Sequence, residues 1–177
     1  MKHLLLLTLC VSIITGCSSK DVSQYIDNSP KFDLYSYFSG ETKGYGIVQD
    51  RKGNLTRQFV VDIVGTVNTN NELVLDEKFV WNDGEKTQRI WTISREDVHK
   101  YSGSASDVVG NATGISYGNV LNWNYVLNLE VDDSVWKIRF DDWMFLQPDG
   151  VLLNKASMTK FGLHVGEVTI VFNKLER

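Results

Sequence analysis

The chain has 177 residues, with 18 Lys and Arg against 22 Asp and Glu, a formal charge of −4 and 42% hydrophobic residues. An acidic chain without basic clusters is a poor nucleic-acid partner, because neutralising phosphates needs concentrated Lys and Arg. Its two cysteines, Cys10 and Cys17, both lie near the N-terminus, so the body of the chain has no disulfide framework, cysteine zinc site or thiol nucleophile.

Lys2 precedes an apolar run, Leu4 to Ile14, which closes with Thr15-Gly16-Cys17. The run is too short for a permanent membrane span and has the charged and apolar regions of a secretory signal. Small residues directly before a cysteine form a lipobox, in which residues 1–16 are removed and Cys17 becomes the acylated N-terminus. The alternative is an ordinary cleaved signal that ends near a cysteine. Cleavage leaves 161 of the 177 residues, enough for one domain, and a charge one more negative because the signal carries Lys2 and no acid. Two acyl chains on Cys17 and a third on its amine hold a protein at a membrane, each buried CH₂ contributing about 0.8 kcal/mol. In the sorting logic of such lipoproteins, Asp after the cysteine retains the protein at the inner membrane. Ser18 stands there instead, which points to the inner leaflet of the outer membrane, facing the periplasm. Residues 17–30 read as anchor and polar tether, and 31–177 as a single β-barrel domain.

A short helix is expected at 31–39, around Phe32, Leu34, Tyr35 and Phe38, capping one end of the domain. From Gly44 onward, apolar-aromatic runs alternate with Gly, Asn and Asp clusters such as Asp50 to Asn54, Asn82-Asp83-Gly84 and Pro148-Asp149-Gly150, the pattern of an all-β domain. Residues 55–66 put Leu55, Phe59, Val61 and Ile63 on one side, with Arg57 among them. Residues 72–81 do the same with Leu73, Leu75, Phe79 and Trp81, interrupted by Glu77. Residues 86–94 follow. Residues 121–129 alternate strictly, Leu121, Trp123, Tyr125, Leu127 and Leu129 facing one way and three asparagines the other. Residues 134–146 place Trp136, Ile138, Phe140, Met144 and Leu146 in one row with Asp142, and 165–173 end the domain. Eight to ten such strands favour an antiparallel up-and-down barrel, or a closed sandwich.

A barrel of this size either fills itself with side chains or holds one small ligand. Five tryptophans (81, 91, 123, 136 and 143) and Phe32, Phe59, Phe79, Phe140 and Phe145 could line a pocket or simply fill the core. Charges in apolar rows must be paired, neutralised or turned to water by a bulge. Asp142 and Glu77, with Arg57, Arg89 or Arg139 as cationic partners and Trp123 and Trp136 as aromatic walls, are the candidate ligand-pocket residues.

Two short motifs look like hydrolase chemistry. Gly114-Ile115-Ser116-Tyr117-Gly118 matches the nucleophile elbow, but it leads into the strand at 121–129 and belongs on a hairpin instead. Ser157-Met158-Thr159-Lys160 matches Ser-x-x-Lys without its companion motifs, and is expected in a loop before the last strand. His99 and His164 lack zinc-site spacing, and neither Asp132-Asp133 nor Asp141-Asp142 has calcium-loop spacing. No metal and no cofactor is expected.

Phe32-Asp33-Leu34, Gly46 to Arg51, Asp107 to Gly110, Leu121 to Tyr125, Arg139 to Leu146 and Asn154 through Glu167 together resemble a family of Gram-negative lipoproteins catalogued as domain of unknown function 3833. The resemblance covers nearly the whole mature chain. It implies an envelope lipoprotein of one domain, consistent with a lipocalin-like fold, and assigns no activity, catalytic residue or binding residue. The sequence thus predicts a lipid-anchored, periplasm-facing barrel that binds a hydrophobic or amphipathic small molecule or lipid. A structural or partner-binding envelope lipoprotein without a ligand is the alternative, and a hydrolase using Ser116 or Ser157 the least favoured one.

Overall fold

Alternation along the chain closes into a cylinder. The protein is described by a computed structural model covering residues 20–131 and 134–175; Cys17 and Ser18 lie outside the described residues. The described residues form ten antiparallel strands: β1 (Gly40–Asp50), β2 (Leu55–Val67), β3 (Leu73–Trp81), β4 (Lys86–Arg95), β5 (Lys100–Ser104), β6 (Ala112–Tyr117), β7 (Val120–Val131), β8 (Ser134–Leu146), β9 (Leu152–Lys160) and β10 (Leu163–Lys174). Each pairs with its neighbour in sequence, and β1 pairs with β10 from Thr42↔Lys174 to Asp50↔Gly166, which closes the barrel. The sheet therefore has no open edge.

The inward rows are the ones the alternation marks. Phe59, Val61 and Ile63 of β2, Leu73 and Leu75 of β3, and Trp123 and Leu127 of β7 are all buried. Small residues on the facing strands make room for the rings. A Cβ on Gly46 would stand 2.1 Å from Phe59 Cζ, and one on Gly114 would stand 2.4 Å from Trp123 Cε3. Gly103 lies under the far edge of the same indole. Trp123 thus lies across two glycines.

One end is plugged. Helix α1 (Leu34–Phe38) starts at Asp33, whose carboxylate accepts the Ser36 N–H at 2.8 Å, and turns Leu34, Tyr37 and Phe38 inward. Lys174 on β10 donates to the Ser36, Tyr37 and Ser39 carbonyls at 2.7–2.9 Å, satisfying acceptors at the helix end. The Tyr37 hydroxyl ties the helix to the Phe172 carbonyl at 3.1 Å. The expected cap is there, shorter than 31–39.

Ahead of the helix, a 3-10 turn at Val22–Tyr25 packs on the outer wall, where Val22, Tyr25, Val120, Trp143 and Phe145 form a second apolar cluster. Trp143 and Phe145, candidates for the interior, therefore face outward. Phe32 is buried against Tyr37 with ring centroids 5.7 Å apart, beneath the plug.

The segment Ser157–Lys160, expected in a loop, lies in β9. Its row Leu152, Asn154, Ala156 and Met158 completes the inner wall between β8 and β10. Between the short strands β5 and β6, residues 105–111 lean on β7. Val108 bridges to Leu127, and the Val109 and Asn128 N–H groups bond across to the Val126 and Asp107 carbonyls at 2.8 and 2.9 Å.

Replacing the Trp123 indole with a methyl group leaves an unfilled space above two glycines, so Trp123→Ala should cost about 3–5 kcal/mol in urea unfolding. Gly114→Ala should cost roughly 1–3 kcal/mol by overpacking against the same ring. Asn124→Ala, on the outer face, should cost about 1 kcal/mol or less. Equal midpoints for the Trp123 and Asn124 variants would mean that the faces of β7 are reversed.

Candidate functional site

Ten strands enclose more space than the inward side chains fill. A cavity of about 490 Å³ runs from Leu34 and Phe38 under the plug to Trp81, Glu85 and Gln88 at the opposite end, where Glu85 and Gln88 are themselves exposed. The cavity therefore opens away from the helix, at the β3–β4 turn. Its size lies within the range of small-molecule pockets.

Two aromatic groups shape the wall. In the middle, Tyr125 stacks on Phe140 at 5.0 Å and meets the edge of Trp91 at 5.4 Å, while Trp91 meets Trp123 at 5.7 Å. Near the mouth, Phe59 packs on Trp81 at 4.9 Å and on Phe79 at 5.4 Å. Aliphatic residues of β3, β7, β9 and β10 complete an apolar surface.

The charged residues of the apolar rows face this space, each in a different setting. Arg57 sits at the mouth, its guanidinium 4.0 Å from the Trp81 ring centroid and paired with Asp83 at 2.5 Å and Glu85 at 2.7 Å. Deeper in, Arg89 donates three N–H bonds to Asp107 at 2.8–3.1 Å. Glu77 is the cross-strand neighbour of Arg89 and makes no salt bridge with it, because the guanidinium is turned to Asp107. Burial pushes the Glu77 carboxyl up to about 7, with the Arg89 charge opposing and the Asp107 charge adding.

Asp142 is the most secluded. It is 5% exposed, and its Oδ2 accepts from the Tyr125 hydroxyl at 3.2 Å and the Asn154 amide at 3.3 Å. No salt bridge reaches it among the described residues. Burial pushes its carboxyl up to about 7, against those two hydrogen bonds. Burial also lifts the Tyr125 hydroxyl well above its ordinary value, so Tyr125 stays a donor.

The structure thus brings Asp142, Glu77, Arg57, Arg89 and Trp123 to one cavity. It separates the other two candidates from it. Arg139 has the outward parity of β8 and projects from the outer wall, beside a shallow groove shared with Lys137 and Phe161. Trp136 belongs to the inward row but lies beyond the rim, 39% exposed, with the Lys160 ammonium over its ring. Asn154, Tyr125 and Asp107 complete the polar set and were not singled out from sequence. Asn154 carries the same signal as Asp142, a polar residue in an apolar row, on a strand that the alternation marks only weakly. Asp107 lies in a loop, where no period applies.

The hydrolase motifs do not assemble. Ser116 is buried in β6, its hydroxyl donating to the Phe32 and Val120 carbonyls at 3.2 and 3.1 Å. His99 Nδ1 lies 2.8 Å from the Ser116 backbone carbonyl, and its ring stacks on Tyr117. Ser157 and Lys160 lie on an extended strand, without the helical turn that Ser-x-x-Lys chemistry uses. Among the described residues, no group of three or more His, Cys, Asp or Glu side chains converges as a metal set.

Fold and cavity together define a closed, ten-stranded up-and-down β-barrel with an apolar lumen that carries a few placed polar groups. The chain belongs to the family described as protein of unknown function (DUF3833), whose model matches residues 11–174. No curated protein matches the chain.

Glu77 and Asp142 hold their protons more tightly in the folded state than unfolded, where such groups titrate near 4. Their stabilising contribution is complete below about pH 4 and is lost as pH rises through about 7. Asp21, Asp33, Asp50, Asp83 and Asp97 are held low by local hydrogen bonds and act in the opposite sense, but below the ordinary carboxylate range. The thermal midpoint should therefore fall by roughly 10 °C from pH 5 to pH 8, and Asp142→Asn should remove part of that slope. A midpoint that is flat or rises over this interval contradicts the buried carboxyls.

Proposed function

We propose that this protein is a lipid-anchored envelope protein whose barrel binds a hydrophobic or amphipathic small molecule. The cavity carries the reading. An apolar space of about 490 Å³, closed by α1 at one end and open at the other, costs stability unless something occupies it. A paired arginine at the mouth, a second one deeper in and an uncompensated carboxyl beyond it suit a ligand with an apolar body and a small polar end.

The anchor rests on Lys2, the apolar run and Thr15-Gly16-Cys17, with Ser18 favouring the inner leaflet of the outer membrane. Three peptide steps join Cys17 to Lys20, a span of roughly 10 Å at most. The Lys20 ammonium lies 5.5 Å from the Trp143 ring centroid on the outer wall. A lipidated Cys17 therefore keeps that side of the barrel close to the bilayer.

A partner-binding role without a ligand is favoured by one observation. Phe161 and Leu163 on the β9–β10 hairpin and Val135 on β8 are 94%, 71% and 64% exposed. Native mass spectrometry of protein purified from its own envelope separates the two readings. We expect a retained adduct of small-molecule mass, released by organic solvent. A bare polypeptide mass under gentle conditions would favour the partner-binding role.

Cys17→Ala should abolish incorporation of radiolabelled palmitate and release the protein from the membrane fraction, and Ser18→Asp should shift it to the inner membrane. Equal membrane fractionation of wild type and Cys17→Ala would end the lipobox reading.

A further inference from the structure

The lumen holds hydrogen-bond acceptors that no protein group satisfies. Asp142 Oδ1 and Asn154 Oδ1 have no hydrogen-bond partner, though the two residues are 5% and 2% exposed and both line the cavity. A buried acceptor left unpaired has lost its hydration with no hydrogen bond in exchange. Here two lie side by side, bridged only by the Asn154 Nδ2–Asp142 Oδ2 contact at 3.3 Å. Turning the Asn154 amide over does not remove the surplus, because Asp142 Oδ1 still meets no donor.

No protein group is placed to fill this need. Arg89 is committed to Asp107 through three bonds, and Arg57 pairs through Nη2 with Asp83 and Glu85 at the mouth, where its unpartnered Nε stays away from Asp142. Tyr125 already gives its hydroxyl proton to Asp142 Oδ2. The charged and titratable groups around the Asp142 carboxyl are Tyr125, Arg89 and its strand neighbour Asp141, with Glu77 and Asp107 across the lumen. Once Asp142 ionises, the balance at this end of the lumen is acceptor-rich and negative.

We propose that Asp142 and Asn154 form a head-group subsite that selects a ligand whose polar end donates hydrogen bonds and carries no negative charge, a long-chain alcohol or amine. This rests on the reading of the barrel as an amphiphile binder and adds its polarity. The head lies beside Asp142 and Asn154, between Trp123 and Ala156 in the inner half of the barrel. The chain extends past Tyr125 and Phe140 toward Phe79 and Trp81 at the mouth. Once Asp142 ionises, above about pH 7, a fatty acid in the same pose would add acceptors to acceptors and a second negative charge beside it. An ammonium does the reverse, and its binding favours the ionised form of Asp142. Amine affinity therefore rises with pH through about 7, while that of an alcohol changes less.

The test is a titration of the full chain with dodecylamine, dodecanol and lauric acid, read by the fluorescence of Trp91 and Trp123. At pH 8 we expect the amine and the alcohol to bind at least about tenfold more tightly than the acid, with the amine tightening from pH 6 to pH 8. Asp142→Asn should weaken the amine about tenfold or more and flatten its pH dependence. If that variant does not fold, the wild-type ranking and pH profile decide alone. Lauric acid binding as well as the other two, or an amine affinity indifferent to pH, overturns the subsite while leaving the cavity reading intact. Failure of all three probes to bind removes both.

Discussion

Closure of the sheet through β1 and β10 is the constraint on which the rest depends. Nine residue pairs from Thr42↔Lys174 to Asp50↔Gly166 join the ends of the meander. Closing removes the free edges that would otherwise invite pairing with another chain. Closing on ten strands makes the interior wider than that of an eight-stranded barrel, which side chains fill. Near the helix end, Phe38, Leu121, Leu152 and Phe172 still meet around the plug and pack. In the middle they do not, even though the indole of Trp123 lies flat over Gly103 and Gly114. The cavity is thus a consequence of strand number, and the glycines set where its walls stand.

Period-two alternation then decides what faces that cavity. Every residue in an inward row is delivered to the lumen, charged or not, and each charge must be accommodated there. Arg57 is accommodated by position, close enough to the mouth to lie on Trp81 and reach the acids of the β3–β4 turn. Arg89 is accommodated by a loop, because β5 and β6 are short and residues 105–111 fold in to present Asp107. Asp142 is accommodated only in part, by one phenol and one amide. Stable domains seldom keep such a group without a reason, and sites of function are where such departures concentrate. Electrostatics and cavity therefore point to the same place.

Much of this architecture was legible in the sequence because one face of each long strand is buried. The rows of β2, β3, β7 and β8 announce themselves through alternation, and Asp142, Glu77 and Arg57 stand out in them as interruptions. Legibility fails where burial is not one-sided or where a strand is short. In β9, Asn154 and Ala156 dilute the apolar row, so the strand reads as a loop and its key amide goes unnoticed. Trp143 and Phe145 look like interior aromatics, but they have the opposite parity to Phe140 and Asp142. What covers them is the 3-10 turn at Val22–Tyr25, a long-range contact with no local signal. Arg139 fails for the same reason of parity, one residue from the inward row. Asp107 reaches Arg89 only through tertiary folding, which no periodicity encodes.

Ligand entry into the lumen is the direct consequence of a barrel that is lined but not packed. It is tested most directly by methyl-detected NMR of the deuterated protein with dodecanol added. A chain lying in the lumen gives intermolecular NOEs to the methyls of Leu75, Leu127, Met144 and Met158, which line the cavity, and none to Val126 or Val171 on the outer wall. NOEs confined to outer-wall methyls, or none at saturating probe, would show that the interior admits no ligand and would contradict a binding barrel.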